Sequence, residues 1–186
     1  MCVMEFIIEN VAHDEFRGKS VLEIGSKYIN GSIRPFIEKW LMPKRYVGID
    51  VKAGKFVDIV LSAEKLIEYF GRESFDVVIA TEVIEHLRNW RSAIANMKEV
   101  LKEGGYMYVT APSTGFVFHG FPFDFWRYET EDMHKIFSDF QIEVLKKDFK
   151  SFEVFLKARK PLNYYPNNIT NIALYSGKMW SKTKCR

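Results

Sequence analysis

Ser20-Val21-Leu22-Glu23-Ile24-Gly25-Ser26 is an apolar run that ends in a glycine and a hydroxyl residue, with an acid two positions before the glycine. A strand that stops at glycine before a polar loop, followed by the helical stretch Ser32 to Leu41, reads as the opening of a nucleotide-type βα unit. Glycine at position 25 lets the chain turn sharply and a ligand approach the backbone with no Cβ in between. Twenty-five residues on, Tyr46-Val47-Gly48-Ile49-Asp50 is a second strand with a carboxylate at its end. Two readings of Asp50 stand side by side. A carboxylate there can accept hydrogen bonds from both hydroxyls of a ribose, each charge-assisted bond worth roughly 1.5–3 kcal/mol. The plainer reading is a cap on the strand-to-loop turn.

Outward from this unit the alternation continues. Phe56 to Val60 is expected as a third strand and Ala63 to Phe70 as a helix ended by Gly71. Ser74-Phe75-Asp76-Val77-Val78-Ile79-Ala80 is a near-continuous apolar run, as in a central parallel strand covered on both faces. An amphipathic helix from Trp90 to Leu101, with Ile94, Met97 and Val100 on one face, closes at Gly104-Gly105 and leads into a strand at Tyr106 to Thr110. Phe140 to Lys147 and Phe152 to Arg159 are two β-like runs joined by a short polar turn, and strands so connected pair antiparallel. The fold class is therefore α/β, a mostly parallel sheet with an antiparallel terminal hairpin. Residues 1–18, with apolar Val3, Phe6, Ile7, Val11 and Phe16, read as a leading helix.

With 186 residues and 47% hydrophobic content the chain suits one core, a single domain over 1–160, followed by a tail at 161–186 that can dock through Tyr164, Ile172, Leu174 and Trp180. The net charge of +3 is not gathered into a basic stripe, so nucleic acid is not indicated as a partner. Cys2 and Cys185 stand at opposite ends with no disulfide, redox or metal spacing, and no metal-ligating set is expected. Glu5 and Glu9 interrupt the apolar N-terminal run, which argues against a signal peptide or membrane span and for a cytoplasmic protein.

Ser113 to Glu129 carries Phe116, Phe118, Phe121, Phe123, Phe125, Trp126 and Tyr128, too aromatic for a solvated linker. It either seals the top of the sheet or covers a substrate. His119 and Asp124 are its acid–base candidates, while Trp126 and Arg127 are candidates to bind a substrate ring or carboxylate.

Four stretches in order, Val21 to Ser26, Val47 to Asp50, Phe75 to His86 and Leu101 to Gly105, together with the closing hairpin, resemble the class I S-adenosylmethionine-dependent methyltransferases, most closely the small type 11 group. The resemblance implies a three-layer Rossmann-like fold with a seven-stranded sheet and S-adenosyl-L-methionine as cofactor. The activity it implies is methyl transfer, here to a small-molecule acceptor. By position it assigns Glu23, Gly25 and Ser26 to the methionine end of the cofactor, Asp50 to the ribose, and Ser62 with Ala63 to the adenine. Thr81 and Glu82 would line the transfer chamber. Two departures stand out: Lys27 and Ile29 occupy positions usually held by glycine, and Ser62 stands where an acid often reads the adenine, leaving that contact to backbone amides or Glu64.

Methyl transfer from a sulfonium is an in-line displacement that asks for alignment and exclusion of water rather than a covalent residue. Positioning can supply roughly 7–11 kcal/mol of barrier reduction. Glu82 and His86 are the candidate bases, and a helical turn over 82–86 would place them on one face. The competing reading makes Glu85-His86 a structural bridge between loops. Two other functions stay open: a cofactor-binding, partner-activated or non-catalytic module of the same fold, and an NAD-dependent oxidoreductase. The missing three-glycine fingerprint and the terminal hairpin weigh against the last.

Overall fold

The computed structural model describes residues 2–120, 123–177 and 182–183. Phe121, Trp180 and Cys185 lie outside these. The leading segment, expected as one helix, forms two: α1 (Val3–Asn10) and α2 (His13–Phe16). Val11 and Ala12 are extended between them, and the Ala12 amide donates to Glu15 Oε2 at 3.1 Å, starting a new helix. The bend brings Phe6, Ile7 and Phe16 onto the same face of the sheet.

The chain continues through β1 (Ser20–Ile24), α3 (Arg34–Phe36, extended by a wide π turn at Ile37–Leu41), β2 (Arg45–Asp50) and β3 (Ile59–Val60). Next come α4 (Leu66–Phe70, entered through a 3-10 turn at Ala63–Lys65), β4 (Phe75–Thr81), α5 (Trp90–Val100) and β5 (Leu101–Pro112). The last part holds β6 (Trp126–Arg127), α6 (Thr130–Ile136), β7 (Gln141–Asp148), β8 (Glu153–Arg159), β9 (Leu174–Ser176) and β10 (Lys182–Thr183). Seven strands form one sheet in the order β3-β2-β1-β4-β5-β8-β7. β1, β2, β3, β4 and β5 pair parallel, and β8 runs against both of its neighbours. The mostly parallel α/β sheet with its closing hairpin is the fold class read from the sequence.

The period-2 alternation of strand side chains splits the core into two layers. Val21, Val77, Ile79 and Tyr108 face α1, α2 and α3, while Leu22, Val78, Ala80, Met107 and Val109 face α4, α5 and α6. The third strand is shorter than expected because Phe56 has a left-handed φ of 68° and the Asp58 carboxylate accepts the Gly48 amide at 2.7 Å and Arg34 at 2.7 Å. Neither α6 nor the small antiparallel sheet β10-β9-β6 was anticipated.

Buried charge ties the tail to the body. Lys98 on α5 donates to both oxygens of Asp139, at 2.7 and 2.9 Å, and to Asn167 Oδ1 at 3.1 Å. The Tyr164 hydroxyl adds a bond to Asp139 Oδ2 at 2.9 Å. Both charged side chains are nearly inaccessible, so removing one strands the other away from water. Lys98→Ala is therefore expected to lower unfolding free energy by about 3–5 kcal/mol in urea titrations. Arg72→Ala, which breaks the solvent-exposed pair with Glu99, is expected to cost less than about 1 kcal/mol.

Candidate functional site

Successive strands are added to one side of β1 as far as β3, and β4 returns to its other side. At such a switch point the loops leave in opposite directions and open a crevice at the carboxyl ends of the strands. Gly25 ends β1 with φ +72°, and a Cβ there would lie 2.7 Å from Val83 Cγ2, so glycine is required both by the turn and by contact with the loop after β4. Ser26 is buried beside Gly48, and its Oγ has no hydrogen-bond partner. Asp50 Oδ1 accepts the Lys52 amide at 3.0 Å, a local turn that fixes the carboxylate at the end of β2. The Lys27 stem lies across Gly54, with its carbons 2.9–3.2 Å from where a Cβ would stand, and bridges the loops after β1 and β2. An unpartnered serine hydroxyl, a glycine turn and a strand-end carboxylate fit the polar end of a nucleoside-type cofactor.

Other residues assigned to this end have clear local roles. Glu23 points to the α1–α3 side, where Oε2 accepts the Tyr46 hydroxyl at 2.9 Å. Burial pushes its carboxyl up to about 7, against the opposing effect of that bond. Ser62 Oγ accepts the Glu64 amide at 3.3 Å and caps the turn before α4, while Ala63 is part of the core. Thr81, the last residue of β4, lies opposite Thr110 on β5.

Across the crevice, the chain after β4 does not form the expected helical turn over 82–86. Glu82 has a left-handed φ of 52°, and only Ile84–His86 coils, as a 3-10 turn. Glu82 is thereby turned to Thr110, whose hydroxyl donates to Oε1 at 2.7 Å, and burial raises its carboxyl pKa. His86 faces the other way: Nδ1 lies 2.6 Å from the Phe123 carbonyl and Nε2 3.4 Å from Glu85 Oε1. Burial lowers its pKa. Glu82 and His86 are not a facing pair. The Glu85 carboxylate is 1% exposed and without a hydrogen-bond partner; burial first, then the charge of Glu82, raises its pKa.

The aromatic segment is fastened along this turn. Phe125 N donates to Glu85 O at 2.9 Å, Trp126 Nε1 to Leu87 O at 2.9 Å and Tyr128 Oη to Ile84 O at 3.1 Å. Inside it, buried Arg127 grips both oxygens of buried Asp124 and also donates to Trp126 O at 2.9 Å and Val117 O at 3.3 Å. Burial works to raise the Asp124 pKa, but the bonds from Arg127 hold it below the usual carboxylate value. Arg127 and Trp126 thus hold the segment together. His119 stays partly exposed, with Nδ1 3.2 Å from Asp124 Oδ2 and Nε2 3.4 Å from His86 Nε2. A recess of about 340 Å³ is lined by Phe118, Phe123, Phe125, Trp126 and, from β9, Ser176. Sequence reading missed the union of Glu85, His86 and His119, each of which offers a ligand atom within 4.8 Å of the others. The Glu85-His86 pair was its only local signal.

Among known proteins, a family profile described as a methyltransferase domain matches residues 3–153. No curated protein matches by sequence. A SAM-dependent methyltransferase from Aquifex aeolicus superposes with a TM-score of 0.62 at 17% identity, over 84% of this chain and 88% of that one. The 1,6-didemethyltoxoflavin-N1-methyltransferase of Burkholderia thailandensis, solved with 1,6-didemethyltoxoflavin and S-adenosylhomocysteine, gives 0.61 at 12% over 78% and 72%. A Haloferax volcanii complex that contains the Trm112 methyltransferase activator gives 0.63 at 13% over 79% and 84%. At these identities the likeness shows a shared fold.

Glu23 has a measurable signature. Its carboxyl titrates at about 7 in the folded chain and near 4.5 when unfolded, so the native state binds more protons between those values. Its contribution to stability is full below pH 4.5, falls as pH rises through 7 and is level above. Glu23→Gln is expected to remove that fall, read as urea midpoints across this range. An unchanged pH slope in the variant contradicts the assignment.

Proposed function

The chain belongs to the methyltransferase domain family, and on that premise we propose that it transfers a methyl group from S-adenosylmethionine to a small-molecule acceptor in the cytoplasm. The observation that carries this reading is the convergence of Gly25, Ser26, Asp50 and Thr81 at the carboxyl ends of β1, β2 and β4, where the strand order reverses. Among the described residues no helix is long and apolar enough to cross a membrane.

When bound, S-adenosylmethionine supplies a methyl group activated by an adjacent sulfonium. The residues of this chain hold, align and shield. Asp50, fixed by its own turn, accepts from the ribose hydroxyls. Gly25 and Ser26 leave room for the methionine end. Ser62 and Ala63 border the adenine with the backbone of the turn they begin. Thr81 marks the end of β4 from which the acceptor is approached, and the aromatic segment excludes water over it. The acceptor itself lies against the partly exposed face near His119, with Asp124, Trp126 and Arg127 shaping the cover. For an acceptor that must lose a proton, Glu82 and His86 act separately: Glu82 is raised in pKa and held by Thr110, whereas His86 keeps Nε2 turned toward His119.

A second reading has one observation behind it. Lys27 spans the gap between the loops after β1 and β2 where the family often has glycine, which suits a chain that opens its cofactor site on binding a partner. The nicotinamide reading has no such support, since the methyltransferase profile spans the crevice and reaches the first residue of β8.

Asp50→Ala is expected to weaken S-adenosylhomocysteine binding by about 1.5–3 kcal/mol, roughly 10- to 150-fold, measured by titration calorimetry. An unchanged affinity removes Asp50 from the site. Binding of NAD with no response to either sulfur cofactor overturns the proposal.

A further inference from the structure

Both histidines at the acceptor end are oriented from behind. His86 Nδ1 lies 2.6 Å from the Phe123 carbonyl. His119 Nδ1 faces Asp124 Oδ2 at 3.2 Å and Val117 O at 3.4 Å. Oxygen acceptors behind both Nδ1 atoms favour a proton there, leaving the two Nε2 atoms as lone-pair donors. Those atoms point at each other, 3.4 Å apart, with the rings at 84°. Beside them, at 3.4 Å from His86 Nε2, is Oε1 of Glu85, an almost fully buried carboxylate with no hydrogen-bond partner. Two imidazole nitrogens and a carboxyl oxygen thus lie within 4.8 Å of one another, where a cation that displaces their remaining protons can join them.

We propose that Glu85, His86 and His119 bind one divalent transition-metal ion. Two of the three separations suit it, since bonds of about 2.0–2.1 Å in a tetrahedral arrangement set ligand atoms roughly 3.3–3.4 Å apart, and the third lies within 4.8 Å. Two imidazoles and one carboxylate select a first-row transition metal such as zinc, manganese, cobalt or iron over magnesium or calcium, which prefer all-oxygen shells. The oxygen behind each Nδ1 is the outer support that metal-binding histidines usually have. Asp124 in turn is locked by Arg127, so the buried ion pair of the aromatic segment becomes the brace of a ligand.

The Glu85 side chain is 1% exposed, His86 17% and His119 34%, so the ion enters from the His119 side and keeps coordination positions open there for water or an oxygen-bearing acceptor. It joins the turn after β4 to the aromatic segment, across thirty-three residues of sequence. With the ion bound His86 is a ligand, and proton removal falls to Glu82; without it His86 keeps the role proposed above. The metal site goes beyond the methyl-transfer reading and does not depend on it.

The test uses the full chain, stripped with a chelator, incubated with zinc or cobalt(II), and separated from free metal. One equivalent per chain by elemental analysis is expected, with cobalt(II) giving the visible absorption of a low-symmetry imidazole-bound ion. His119→Ala and Glu85→Gln are each expected to weaken binding at least about tenfold, while His134→Ala, on an exposed position of α6, retains it. Glu85→Gln keeps the shape of the buried side chain, and circular dichroism on each variant shows that it is folded. Failure of the wild-type chain to retain metal, or full retention by a folded His119→Ala, overturns the proposal. S-adenosylhomocysteine titrated into the same samples separates the two readings. Cofactor binding without metal refutes the metal site alone; metal without cofactor leaves it standing and refutes the methyl-transfer assignment.

Discussion

Both edges of β1 are occupied by parallel neighbours, β2 and β4. That pairing satisfies the strand's backbone and buries its side chains on both faces, and it leaves the carboxyl end as the place where the chain opens to solvent. The sharp turn at Gly25, the Asp50 carboxylate one strand away and Thr81 on the other side all follow from it. So does the contact between Gly25 and Val83, through which the loop after β1 touches the loop after β4. The two walls of the crevice, the loops after β1 and β4, are therefore mechanically joined at one glycine.

The aromatic segment depends on a second constraint, the buried pair of Asp124 and Arg127. A charge pair taken out of water is tolerated only when its hydrogen bonds are complete, and here they are completed by the segment's own carbonyls and by the His119 amide, which donates to Asp124 Oδ2 at 3.0 Å. This ties residues 117–120 to residues 124–127. The outer bonds to Ile84, Glu85, His86 and Leu87 then lay the segment along the turn after β4. β9 extends the same scaffold by pairing with β6. The aromatic residues thus have a use other than bulk: they cover the turn while the polar atoms fasten it.

The central strands were legible in the sequence because burial on both faces produces continuous apolar runs, as in Phe75 to Ala80, and because glycine and acid at strand ends mark turns. The closing hairpin was legible from two β-like runs and a short turn. What escaped reading depended on distance or on backbone detail. α6 has only Met133 and Ile136 as large apolar inward residues, too few for a periodicity. β9 is three residues long, and its partner β6 lies almost fifty positions earlier. The left-handed backbone at Glu82 has no signature in a glutamate, yet it separates Glu82 from His86 and so dissolves the acid–base pair that spacing suggested. His119 came to attention as an aromatic-loop histidine; its meeting with His86 is made by the fold. Asp50 shows the plainer of its two readings, a cap on the turn after β2; its role toward a ribose is the one proposed above.

The claim on which the account rests is that one crevice, at the ends of β1, β2 and β4, receives the cofactor. Hydrogen–deuterium exchange with and without S-adenosylhomocysteine locates the binding site directly on the chain. Protection is expected together in the segments around Gly25 to Lys27, Asp50 to Gly54 and Thr81 to Val83. Binding that protects only the aromatic segment, or leaves the Gly25 turn exchanging as fast as before, would contradict it.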